Sequence, residues 1–103
     1  MAFKIIWSEP SIGDLREVTD YIAGDNQLAA ERTGAAILAR VKLLVDHPLI
    51  GRMVPEIERK EIRELIQRPY RIVYRVNARG KIIEILRVWH AARGEPNIDE
   101  SGT

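Results

Sequence analysis

The period of the apolar residues changes part-way along this chain. From Ser11 onward, Ile12, Leu15, Val18 and Ile22 recur at steps of three and four, the stripe of an amphipathic helix. Ser8 can cap that helix, and Pro10 suits its first turn, where a missing N–H costs nothing. Gly24-Asp25-Asn26 should end it. A second helix is expected from about Leu28 to His47, with Ala29, Ala35, Ile37, Leu38, Val41, Leu44 and Val45 as its apolar face, until Pro48 stops it. So short a turn between them implies an antiparallel helical hairpin.

After residue 61 the period falls to two. IRELI (Ile62 to Ile66), YRIVYRV (Tyr70 to Val76) and IIEILRVWH (Ile82 to His90) read as three strands. The last two are joined by Asn77-Ala78-Arg79-Gly80-Lys81, which supplies Asn and Gly for a hairpin turn. In the middle strand Tyr70, Ile72, Tyr74 and Val76 share one face, and Arg71, Val73 and Arg75 share the other. Strict alternation in the last strand sets Glu84, Leu86, Val88 and His90 against Ile83, Ile85, Arg87 and Trp89. FKIIW (Phe3 to Trp7) is a further strand, and PLIGRMVPEIERKE (Pro48 to Glu61) reads as loop. The order β-α-α-β-β-β predicts an α+β sandwich, with a small antiparallel sheet, both helices on one face and the other face open. We expect one domain over residues 1–93 and a polar, acidic, mobile tail over 94–103.

Composition narrows the chemistry. The 103 residues contain no cysteine and only two histidines, His47 and His90. Disulfide frameworks, thiolate nucleophiles and cysteine-based metal sites are therefore excluded, and no metal or other cofactor is expected. Neither a membrane-spanning run nor a signal peptide is evident, so the expected location is the cytoplasm, with no membrane partner and no small-molecule substrate. There is no G-x-S-x-G elbow and no phosphate-cradling glycine loop. Glu56, Glu58 and Glu61 cluster on the charged loop, a pattern more typical of solvation than of a metal site.

A net charge of +1 conceals segregation along the chain. Residues 1–61 carry a net −2, residues 62–93 a net +6 and the last ten a net −3. Seven of the eight cations in the middle block are arginine, whose planar fork suits phosphate and carboxylate. This implies a densely negative partner, although a solvated sheet face would look the same. Arg71, Arg75, His90 and Arg93, with Tyr70, Tyr74 and Glu64 near them, form the remaining constellation. Arginine, histidine and a carboxylate could serve phosphodiester cleavage as phosphate clamp, acid and base.

HPLIGRMVPE (His47 to Glu56), REL (Arg63 to Leu65), YRIVYRV and VWHAAR (Val88 to Arg93), following two helices, together resemble the toxins of the RelE/ParE superfamily of bacterial type II toxin–antitoxin modules. The resemblance spans residues 3–93. It implies the β-α-α-β-β-β sandwich, a cytoplasmic location and neutralisation by a cognate antitoxin protein. RelE- and YoeB-type members cut mRNA on the ribosome, whereas ParE-type members poison DNA gyrase. By resemblance, Arg71 matches the arginine on the scissile phosphate of the nucleases, His90 a general acid and Glu56 a loosely aligned general base. IRELI has no lysine, Ala91 follows His90, and no tyrosine lies beyond Arg93, all departures from the nuclease pattern. The resemblance therefore points first to a ParE-like gyrase poison, with a ribosome-dependent endoribonuclease or an inactive antitoxin-binding relic as alternatives. Arg63, Arg68, Tyr70, Tyr74, Arg75, Arg87, Trp89 and Arg93 are the expected target- or antitoxin-binding residues.

Overall fold

The computed structural model describes residues 2–98. The chain forms β1 (Lys4–Trp7), α1 (Glu9–Ala23), α2 (Gln27–Lys42), a 3₁₀ turn (Leu43–Val45), β2 (Arg52–Met53), β3 (Ile62–Gln67), β4 (Tyr70–Asn77), β5 (Ile82–His90) and a closing 3₁₀ turn (Ala91–Arg93). Ser8 caps α1 as expected, its side chain accepting from the Ser11 N–H at 3.2 Å. Asn26 caps α2 in the same way, accepting from Ala29 at 2.9 Å. The second helix ends earlier than its apolar spacing suggested. Its last turn tightens into the 3₁₀ segment, which drives Leu44 into the core.

The sheet has five strands in the order β1-β5-β4-β3-β2. Three of its four pairings are antiparallel, but β1 runs parallel to β5 at one edge. The segment read as loop contains β2, whose Arg52 and Met53 pair with Glu64 and Arg63. A strand of two residues carries no alternation, so it left no periodic signal. In the β4–β5 hairpin the Asn77 side chain accepts from the Gly80 N–H, and Lys81 rather than glycine takes the positive φ, 53°.

Ile37, Val41 and Leu44 pack on Leu65, Ile72, Tyr74, Ile83, Ile85 and Val88 to form the main core between helices and sheet. The opposite face is not open. Ile62, Val73 and Leu86 are buried there together with Val54, and Ile57 and Ile98 pack over them. The segment expected to trail away as a tail thus returns across the sheet as far as Ile98, with Pro96 buried. The remainder of that tail, residues 99–103, lies outside the described residues.

A bulge explains how β5 serves both faces. Val73 pairs with Arg87 but Tyr74 pairs with Ile85, which leaves Leu86 as the extra residue. Simple alternation had set Ile83 and Ile85 against Val88. The bulge instead puts all three in the helix-side core and sends Leu86 to the other cluster. Among the described residues no helix is long and apolar enough to cross a membrane.

Candidate functional site

On β4, Arg71 and Arg75 point away from the helices, whereas Arg63 of β3 lies opposite Tyr74 and Arg87 of β5 reaches α1; the most buried of these arginines are held by the protein's own acids. Arg71 lies on β4 beside Val73, and its Nε donates to Glu64 Oε1 at 2.6 Å. Its Nη1 and Nη2 form a two-pronged bond to Glu56, at 2.9 and 2.7 Å. The far oxygen of Glu64 accepts from Arg52 Nε at 2.6 Å, giving an alternating string Arg52–Glu64–Arg71–Glu56. Only 10% of the Arg71 side chain and none of Glu64 is exposed. An ion pair this deep must be fully matched, because desolvating either charge alone costs several kcal/mol, of order 3–5 when one partner is removed. The Arg71 hydrogen bonds hold the Glu56 carboxyl down at about 2, against an ordinary 4.5. Glu56 in turn raises the Arg71 guanidinium above its already high value.

The HPLIGRMVPE motif is the device that brings this loop to the sheet. The Tyr74 hydroxyl donates to the Pro48 carbonyl at 2.9 Å and accepts from the Gly51 N–H at 3.0 Å. A side chain at position 51 would place Cβ 2.5 Å from the Glu64 carbonyl and 2.6 Å from the Tyr74 hydroxyl, so only glycine fits. Arg63 donates to the Gly51 carbonyl at 2.9 Å. Val54 then enters the second core cluster, and Glu56 reaches Arg71.

Across the strands, on β5, Arg87 makes a two-pronged pair with Asp14 of α1, Nε at 2.7 Å and Nη2 at 2.8 Å. Asp14 also accepts from the Val88 N–H at 3.0 Å, and Ser8 Oγ donates to the Leu86 carbonyl at 3.1 Å. The reason is local: β1 stops at Trp7, opposite Ile85, so the rest of β5 has no strand on that side. The start of α1 supplies the missing partners. Asp14 escaped the sequence reading, although its place on the stripe Ser11–Asp14–Val18 marks a polar residue on a buried helix face.

His90 stands apart from Arg71. The register pairs Tyr70 with His90 and Arg71 with Trp89, so alternation places the His90 and Arg71 side chains on opposite faces of the sheet. His90 packs edge-on to the Tyr70 ring, 5.4 Å between centroids, and its Nδ1 accepts from the Ala92 N–H at 3.0 Å. The structure therefore brings Arg71 and Glu56 together and leaves His90 behind the sheet.

The remaining expected binding residues divide by exposure. Tyr74 is fully buried and, contrary to the sequence reading, offers no surface to a partner. Trp89 is also buried; its indole N–H donates to the Gly94 carbonyl at 3.2 Å, and the guanidinium carbons of Arg93 and Arg87 lie 4.1 and 4.9 Å from its ring centre. Tyr70 is buried apart from its rim. Arg68 and Arg93 are exposed, Arg63 is partly buried, and Arg75 makes a loose 3.5 Å contact with Glu84. Among the described residues no group of three His, Asp or Glu side chains could hold a metal ion.

Comparison with known proteins agrees with this architecture. Residues 5–94 match the family model for the ParE toxin of the type II toxin–antitoxin system parDE. The chain is 34% identical over 97 residues to a putative toxin, Y4kP, of Sinorhizobium fredii, covering 92% of this chain and 95% of the relative. It is 29% identical over 90 residues to Toxin RelE2 of Caulobacter vibrioides, covering 87% and 97%. A structure of the chromosomal ParDE system of P. aeruginosa superposes with a TM-score of 0.70 at 27% identity, covering 86% of this chain and 96% of that one. The toxin–antitoxin complex RelBE2 of Mycobacterium tuberculosis, at 20% identity and a TM-score of 0.64, covers 87% and 99% and shares the fold. The family match over residues 5–94 and the shared sandwich lead to one conclusion: this chain belongs to the family of ParE toxins of type II toxin–antitoxin systems.

Proposed function

We propose that this toxin acts by binding and trapping DNA gyrase rather than by cutting RNA. One observation supports the reading: Arg71, Glu56 and His90, the residues singled out for cleavage, do not converge on one open site. Cleavage requires a cation free to meet the scissile phosphate, and Arg71 is already matched to Glu56 and Glu64. It requires a base, and a carboxyl held near 2 is a weak one for a hydroxyl proton. It also requires an acid on the same side, whereas His90 lies across the sheet. A gyrase poison needs none of these, only a stable surface. Family membership implies a cognate antitoxin that neutralises this surface until it is needed.

Expression in bacteria without antitoxin tests the reading. Induction of the DNA-damage response with filamentation, and intact mRNA, is the expected result. Abrupt arrest of translation with in-frame mRNA cuts would overturn it in favour of the endoribonuclease.

A further inference from the structure

Four residues form a row across the sheet on the face away from the helices. Ile6 of β1 is opposite Glu84 of β5, Glu84 is opposite Arg75 of β4, and Arg75 is opposite Ile62 of β3. Ile6, Glu84 and Arg75, with Asn77 and Ile82 from the hairpin end, line a cleft of about 210 Å³. Arg75 differs from Arg71 and Arg87. Its ion-pair partner, Glu84, reaches only Nη1, at 3.5 Å, while Nε and Nη2 are buried without a hydrogen-bond partner among the described residues. Those two nitrogens form one side of the guanidinium, the edge that grips both oxygens of a carboxylate. Buried donors left unmatched are costly, of order 1–3 kcal/mol each, and are therefore uncommon.

We propose that this cleft reads a single carboxylate, an Asp or Glu side chain flanked by apolar residues in a peptide segment of a protein partner. The guanidinium turns its unmatched edge into the cleft and releases Glu84, and the apolar neighbours of the acid rest on Ile82 and on Ile6, which is 41% exposed. Glu84 and the adjacent Glu61, whose carbonyl accepts from the Val76 N–H, disfavour a polyanion such as nucleic acid. The site is separate from the Arg71 network, and its existence does not depend on whether the toxin's target is gyrase or mRNA.

Titration of the ¹⁵N-labelled protein with acetyl-Leu-Asp-Leu-amide, read at the Arg75 Nε–H resonance, tests this. A saturable shift in the millimolar range is expected, about tenfold weaker with the Asn peptide and at least about threefold tighter in Glu84→Gln. Followed instead at the backbone amides of Glu84 and Asn77, which line the cleft, Arg75→Lys should lose the peptide-induced shifts seen there in the wild type while the rest of its amide spectrum stays that of the folded protein. No shift at Arg75, equal binding of the Asn peptide, or a shift produced by oligothymidylate but not by the Asp peptide would each overturn the proposal.

Discussion

Glu56 shows how much one ion pair does at the scale of a residue. Its folded-state carboxyl is held at about 2 by Arg71, below the ordinary 4.5 of an unfolded chain. A depressed carboxyl stabilises the fold above the unfolded value, and that stabilisation is lost as pH falls from about 4.5 toward 2. Urea unfolding measured across this window should therefore lose stability steeply in the wild type. Glu56→Gln should flatten that acid limb, and an unchanged limb would show that Glu56 does not meet Arg71 in solution. Gly51 offers the steric counterpart. Gly51→Ala drives a methyl into the Glu64 carbonyl and the Tyr74 hydroxyl, and should cost about 2–3 kcal/mol in the same measurement. The sequence displayed these residues as a motif, yet their partners could not be read from it. Glu56 lies 15 residues from Arg71, and nothing in the loop's composition says that it folds back.

At the scale of the element, the helices and the three long strands were legible because periods of 3.6 and two differ so clearly. What stayed hidden were features without a period. The Leu86 bulge occurs inside an unbroken run of strand-forming residues, so alternation was extended straight through it. Alternation gives the face of Arg71 and Arg75 on β4, but not that Arg87 is neutralised from α1, because Asp14 and Arg87 stand 73 positions apart. That pair joins the start of α1 to the unpartnered edge of β5. Asp14→Ala strands a mostly buried guanidinium and the Val88 N–H together, and is expected to cost about 3–5 kcal/mol in denaturant unfolding. A loss below about 0.5 kcal/mol would place the pair among surface contacts that contribute little.

For the whole molecule, the segregated charge of the sequence does not become an open cationic face. Arg71, Arg87 and, loosely, Arg75 are answered by Glu56, Glu64, Asp14 and Glu84, and the segment through Ile98 lies over the cluster at the centre of that face. With a net charge of only +1, long-range attraction should contribute little to antitoxin capture. The association rate with the cognate antitoxin should therefore fall by less than about threefold from low to high salt, as stopped-flow mixing would measure. A drop of a hundredfold would mean that the guanidinium groups guide the encounter after all.

If the proposed trapping of gyrase is right, toxicity needs no RNA-cleaving chemistry, which purified components can establish. Wild-type protein and His90→Ala are each incubated with DNA gyrase and supercoiled plasmid and, in parallel, with translating ribosomes. Both proteins are expected to trap gyrase on broken DNA to the same extent and leave the mRNA whole. Cleaved mRNA with wild type but not with His90→Ala, and no trapped gyrase with either, would contradict it.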